Sequence, residues 1–135
     1  MKASASHVVG LVDDDARVRR ALASLLGSAG LHVEAHSSAE DFLASLRVEP
    51  GASSKRGASC LVLDLHLPGM SGLDLLHRLN TDGWLSPVII VSGQLGAENV
   101  RRCLLAGAVA CLPKPCSADE LIRNVNECLR YHGQS

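Results

Sequence analysis

The chain has 135 residues, 47% of them hydrophobic and 20% charged, with a formal net charge of −1. That is enough for one hydrophobic core, and the apolar content excludes a disordered tail or linker. The near-zero charge leaves no electrostatic footprint for nucleic acid or an anionic membrane, and Phe42, Trp84 and Tyr131 are too few rings for a base-stacking surface or an aromatic cage.

The N-terminal stretch carries one lysine and no apolar signal region. No apolar run reaches the roughly 18–20 residues of a membrane span. A soluble, cytoplasmic chain without membrane contact is expected. Residues 7–12 form an apolar run closed by Asp13, Asp14 and Asp15, an acidic cluster suited to a helix start. The helix that follows places Val18, Leu22, Leu25, Leu26 and Ala29 on one face, and Gly30 ends it. Residues 31–36 alternate as an edge strand does. Ser37 with Glu40 spells a capping box for a second helix burying Ala39, Phe42, Leu43 and Leu46. Residues 50–59, rich in Gly, Ser and Lys, read as a surface loop.

Residues 60–64 are a continuous apolar run ending in Asp64, the pattern of a central parallel strand. Residues 67–72 are a turn, and a third helix carries Leu73, Leu76 and Leu79. Residues 87–91 are the fourth strand, 97–106 the fourth helix and 108–112 the fifth strand. Ser117 with Glu120 caps a last helix burying Leu121, Ile122, Val125, Cys128 and Leu129.

Five β–α units in one small domain predict an α/β fold. It is a doubly wound five-stranded parallel sheet of strand order 2-1-3-4-5, the flavodoxin-like (βα)5 arrangement. One domain is expected over residues 1–135, with its core over 7–131. Five cysteines (Cys60, Cys103, Cys111, Cys116, Cys128) without a C-x-x-C fit neither a disulfide framework nor a zinc site, and read as small buried hydrophobes.

In such a sheet the site lies beyond the carboxyl ends of the strands, at the switch point between the first and third. Asp13, Asp14 and Asp64 occupy those ends, Ser92 closes the fourth strand and Lys114 the fifth. Three carboxylates so close repel one another unless a cation sits among them. Carboxylate oxygens are the ligands that Mg2+ prefers. Asp15 is assigned to capping the helix alone.

Val12-Asp13-Asp14, Leu63-Asp64 followed by Leu67-Pro68-Gly69-Met70-Ser71-Gly72, Ile90-Val91-Ser92-Gly93, Ala106-Gly107-Ala108 and Lys114-Pro115 resemble the receiver domain (CheY-like) of bacterial two-component response regulators. The resemblance implies that Asp64 accepts a phosphoryl group from a sensor histidine kinase. It implies that Asp13, Asp14, Asp64 and the backbone carbonyl of His66 hold Mg2+, that Lys114 pairs with a phosphate oxygen and that Ser92 bonds the phosphoryl group. It also implies a cis peptide at Lys114–Pro115. His66 and Gln94 stand where such domains border the phosphoryl group and tune its lifetime; solvated loop side chains are the alternative for both. No role is assigned to His7, His32, His36, His77 or His132.

The chain departs from the pattern on its last strand. The switch aromatic of the family is Cys111 here, and the aromatic after Lys-Pro is Cys116. Either activation moves only the loop after Ser92, or Cys111 is a smaller core residue with the same partner surface. Pro113 beside the lysine removes a backbone donor at the strand end. The expected function is a phosphorylation-dependent receiver, not a conventional enzyme, that switches partner binding through the face of the fourth helix, fifth strand and last helix. That face is the expected homodimer surface, and control of transcription is expected to run through an output domain beyond this chain. A stand-alone or phosphorylation-independent interaction module is the alternative. A nucleotide-binding protein or a phosphatase fits poorly, because the first turn carries aspartates rather than glycines and Asp64-Leu65-His66 lacks a second aspartate.

Overall fold

The computed structural model describes residues 7–48, 55–56 and 58–134. Five strands form the main sheet: β1 (Val8–Val12), β2 (His32–His36), β3 (Cys60–Asp64), β4 (Val88–Ser92) and β5 (Ala110–Pro113). All pair in parallel in the order β2-β1-β3-β4-β5, as expected. Between them run α1 (Ala16–Ser28), α2 (Ala39–Ser45), α3 (Gly72–Thr81), α4 (Ala97–Leu105) and α5 (Ala118–Gln134). Every residue of β3 and β4 is buried, which is why both read as unbroken apolar runs.

Strand alternation divides the core into two layers. Val9, Leu11, Cys60, Val62, Ile89 and Val91 pack with α1 and α5, through Leu26, Leu121, Val125 and Leu129. Val12, Leu61, Leu63, Val88 and Ile90 pack with α2, α3 and α4, through Phe42, Leu75, Leu76, Leu79 and Cys103. β1, β3 and β4 therefore each feed both layers at the natural period of two.

Several local expectations are corrected. α2 is capped by Ser38, whose Oγ accepts the Asp41 N–H at 3.0 Å, and not by Ser37 with Glu40. Both serines offer the same hydroxyl; Ser38 is the one in extended backbone (φ −151°, ψ 161°) directly before the first helical residue, Ala39. Gly30 ends α1 as expected, at φ +88°, but Ala29 before it is exposed rather than on the apolar face. In α3 the buried leucines are Leu75, Leu76 and Leu79, with Leu73 only partly covered. The segment read as a loop includes part of a small antiparallel ribbon, Arg47–Val48 with Lys55–Arg56; residues 49–54 and 57 lie outside the described residues. So do the side chains of Tyr131 and His132.

Pro113 costs the sheet nothing. Lys114 N donates to Ser92 O at 2.8 Å, so its N–H points at β4 and the preceding position faces the open edge. His36 is half-buried: its ring meets Phe42 edge-on at 5.5 Å and its Nδ1 lies 3.3 Å from Asp41 Oδ2.

Candidate functional site

The carboxyl ends of β1, β3, β4 and β5 form one patch. β1 delivers Asp13, and the turn into α1 presents Asp14 beside it. Asp15 accepts the Arg17 and Val18 N–H groups as the α1 cap, the structural role expected of it. Asp64 ends β3 in register with Val91 of β4, which sets Ser92 one step beyond it. Lys114 follows β5, and the Lys114–Pro115 peptide is cis, as expected.

The carboxylates of Asp13, Asp14 and Asp64 come together, with candidate ligand oxygens all within 4.8 Å of one another. Asp13 and Asp64 are buried at 1% and 7% exposure, whereas Asp14 is exposed to solvent. The Lys114 ammonium bridges the buried pair, 2.7 Å from Asp13 Oδ2 and 3.3 Å from Asp64 Oδ2. Burial pushes the Asp64 carboxyl above the ordinary carboxylate range; Lys114 opposes that rise and Asp13 adds to it. Burial alone would lower the Lys114 ammonium, but its hydrogen bond to Asp13 and the charge of Asp64 win and hold it above its usual value.

Hydrogen bonds hold the backbone around these groups. Asp13 Oδ1 accepts the Asp15 N–H at 2.9 Å, and the Asp13 carbonyl accepts from the Arg19 guanidinium at 2.8 Å. Asp64 Oδ1 accepts the His66 N–H at 3.3 Å. Ser92, 1% exposed, accepts the Gln94 N–H on its Oγ at 3.1 Å. The side chains of His66 and Gln94 are both exposed.

Hard oxygen donors in this number suit a divalent cation of the Mg2+ type, and solvent-facing Asp14 leaves room for the waters that such an ion keeps. Each carboxylate has about four lone-pair sites, so the protein hydrogen bonds on Asp13 and Asp64 do not exhaust them. The residues present fit that group.

The sequence pattern of the response regulator receiver domain matches residues 9–126. This chain belongs to that family. It is 36% identical over 129 residues to the response regulator protein TodT of Pseudomonas putida, covering 96% of this chain and 54% of that protein. It is 38% identical over 121 residues to the transcriptional regulatory protein FixJ of Azorhizobium caulinodans, covering 90% of this chain and 54% of that protein. The chain thus spans about half the length of these curated relatives. Among solved structures, the FixJ-N crystal structure superposes with a TM-score of 0.79 at 32% identity, covering 93% of this chain and 95% of that one. A CheY-like receiver from Methanospirillum hungatei JF-1 gives 0.82 at 26% identity, covering 95% and 97%.

Receiver domains bind Mg2+ in an acidic pocket, and this receiver has such a group in Asp13, Asp14 and Asp64. Among the described residues, no helix is long and apolar enough to cross a membrane. Cys111 sits beside Cys103 in the α2–α4 layer, half-buried, and Cys116 packs on the α1–α5 side. Sequence reading missed Arg19, whose guanidinium bonds the Asp13 carbonyl. The pair Gly69 and Gly72 was visible in the turn after Asp64. Arg19 stands on a helix face where a charged residue carries no distinguishing signal.

Proposed function

We propose that this receiver accepts a phosphoryl group on Asp64 from the phosphohistidine of a sensor histidine kinase and uses it to switch partner binding. The observation that carries the reading is the convergence of Asp13, Asp14 and Asp64 around the Lys114 ammonium. An Asp64 carboxylate oxygen attacks phosphorus in line, the P–N bond to the kinase imidazole breaks, and the imidazole leaves with the bonding pair and takes up a proton. Asp64 then carries an acyl phosphate.

Asp13, Asp14, Asp64 and the carbonyl of His66 are the residues that would hold Mg2+. When bound there, the ion would neutralise charge on the phosphoryl oxygens. Lys114 supplies a second positive charge, already poised at Asp64. Ser92 offers a hydroxyl at the end of β4 whose O–H donates to the new phosphoryl oxygens, its Oγ being the acceptor of the Gln94 N–H. Gln94 and His66, with exposed side chains at the mouth of the site, set the access of water to the acyl phosphate.

The α4–β5–α5 face carries the change outward and serves as a homodimer surface; exposed Leu104 and Leu105 on α4 support that reading. Similarity to FixJ and TodT supports a role in controlling transcription through an output domain. The deciding experiment incubates the protein with Mg2+ and acetyl phosphate and then weighs it intact. A gain of one phosphoryl group that Asp64→Asn abolishes is expected. No gain, or a gain that survives the substitution, would overturn the assignment of Asp64.

A further inference from the structure

The loop between β3 and α3 ties Asp64 to the rest of the protein, and its two ends are held by different means. At the base, the Gly72 N–H donates to the Leu65 carbonyl at 2.9 Å. A Cβ on Gly72 would collide with the Asp64 carbonyl oxygen and lie 2.8 Å from Leu65 Cα, so only glycine lets α3 begin this close to Asp64. At the tip, the loop is caught by a residue thirty positions earlier. The Met70 N–H donates to Glu40 Oε2 at 3.0 Å. Gly69, at φ +74°, turns the backbone so that this N–H faces Glu40, and a Cβ on Gly69 would meet the same oxygen at 2.9 Å.

Glu40 is well placed to act as an anchor. It lies in the first turn of α2, between the buried residues Ala39 and Phe42, so its backbone is fixed by the core. The cap of α2 is made by Ser38 and the Asp41 N–H, which leaves the Glu40 carboxylate without a part in it. Among the described residues it has no ion-pair partner, and its hydrogen bond goes to the loop. Between base and tip lies His66, whose N–H bonds Asp64 Oδ1.

We propose that Glu40 is a positioning residue for the Asp64 site: by accepting the Met70 N–H it fixes the β3–α3 loop and thereby the direction of the His66 carbonyl and the Asp64 carboxylate. The inference rests on reading Asp64 as phosphoacceptor and Mg2+ ligand. Glu40 touches neither the ion nor the phosphoryl group; it acts through the loop. Loss of the clamp widens the range of directions the His66 carbonyl samples, so the cost appears first as weaker Mg2+ binding.

Three variants separate this from a merely structural role. Glu40→Ala removes the acceptor, Glu40→Gln keeps an acceptor oxygen without the charge, and Gly69→Ala pushes a methyl group against Glu40. Mg2+ affinity is read by calorimetric titration, the clamp by hydrogen exchange of the Met70 amide, and folding by thermal melting. Glu40→Ala is expected to speed Met70 exchange and to weaken Mg2+ about fivefold, the scale of one typical net hydrogen bond. Phosphorylation by acetyl phosphate at subsaturating Mg2+ is expected to slow with it. Glu40→Gln is expected to restore most of both, and Glu40→Ala to add nothing to Gly69→Ala.

An Mg2+ affinity in Glu40→Ala equal to wild type would overturn the proposal, even if the melting temperature fell. So would a Glu40→Gln variant as weak as Glu40→Ala, since the charge rather than the hydrogen bond would then act. A wild-type protein that binds no Mg2+ and takes no phosphoryl group refutes the site itself. That result appears before any substitution at position 40 and removes the proposal with it.

Discussion

Cys111 is the residue at which this receiver departs furthest from the pattern its sequence resembles. Its thiol lies against Cys103 among the side chains of the α2–α4 layer, and burial, reinforced by Cys103, pushes it up to about 11 from 9.0. A nucleophilic or oxidisable cysteine needs the thiolate, and this environment withholds it. Two pKa units leave about 100-fold less thiolate than an ordinary cysteine at any pH well below both values. Iodoacetamide at pH 7.5 is therefore expected to label Cys111 at least 100-fold more slowly than a free thiol (about two decades from the pKa alone). The rate should climb with pH until near the raised value, as read by peptide mass spectrometry. Rapid labelling at neutral pH would instead show an activated thiol and overturn the reading of Cys111 as a small buried hydrophobe. The physical reading is that of a small core residue, with no ring at this position to change rotamer.

At the scale of the element, the β3–α3 connection links fold to chemistry, and it shows what a sequence reveals. The strands were legible because β3 and β4 are apolar throughout, and Asp64 stood out as a carboxylate ending such a run. Asp13, Asp14, Ser92 and Lys114 were legible for the same reason, since the ends of parallel strands converge by topology. The clamps on the loop were not. Glu40 looked like half of a capping box because a carboxylate three residues after a serine has that spelling. Its actual partner is a backbone N–H, which has no letter in the sequence. Gly72 read as a turn residue, whereas its missing side chain is what brings α3 against the Asp64 carbonyl. Gly72→Ala is thus expected to destabilise the protein by about 2–3 kcal/mol, the upper part of the range for forcing a methyl group into filled space. The neighbour here is backbone, which cannot rotate away. Urea unfolding measures the loss, and an unchanged midpoint would show that α3 can retreat without strain.

For the whole molecule, the question is whether two layers with different chemistry behave as one unit. The α2–α4 layer holds the aromatic contact, with Phe42 and Trp84 meeting edge-on at 6.0 Å, while the α1–α5 layer is built from aliphatic side chains with Cys60 and Cys128. Alternate residues of the same strands face the two layers, so neither can lose its packing without baring the reverse side of residues the other needs. We propose a single cooperative domain on that ground. Each layer carries its own reporter. Trp84, 7% exposed, senses the α2–α4 side, and the fully buried Cys60 thiol becomes open to alkylation when the α1–α5 side opens. Tryptophan fluorescence and rapid-pulse alkylation of Cys60 are expected to give the same urea midpoint. Phe42→Ala, which removes about 3–5 kcal/mol of packing from one layer alone, should lower both midpoints equally. If the fluorescence midpoint falls and the Cys60 midpoint stays, the layers unfold separately and the single-domain reading fails. Coincident shifts would mean that both helical layers unfold as one unit with the sheet that carries Asp64.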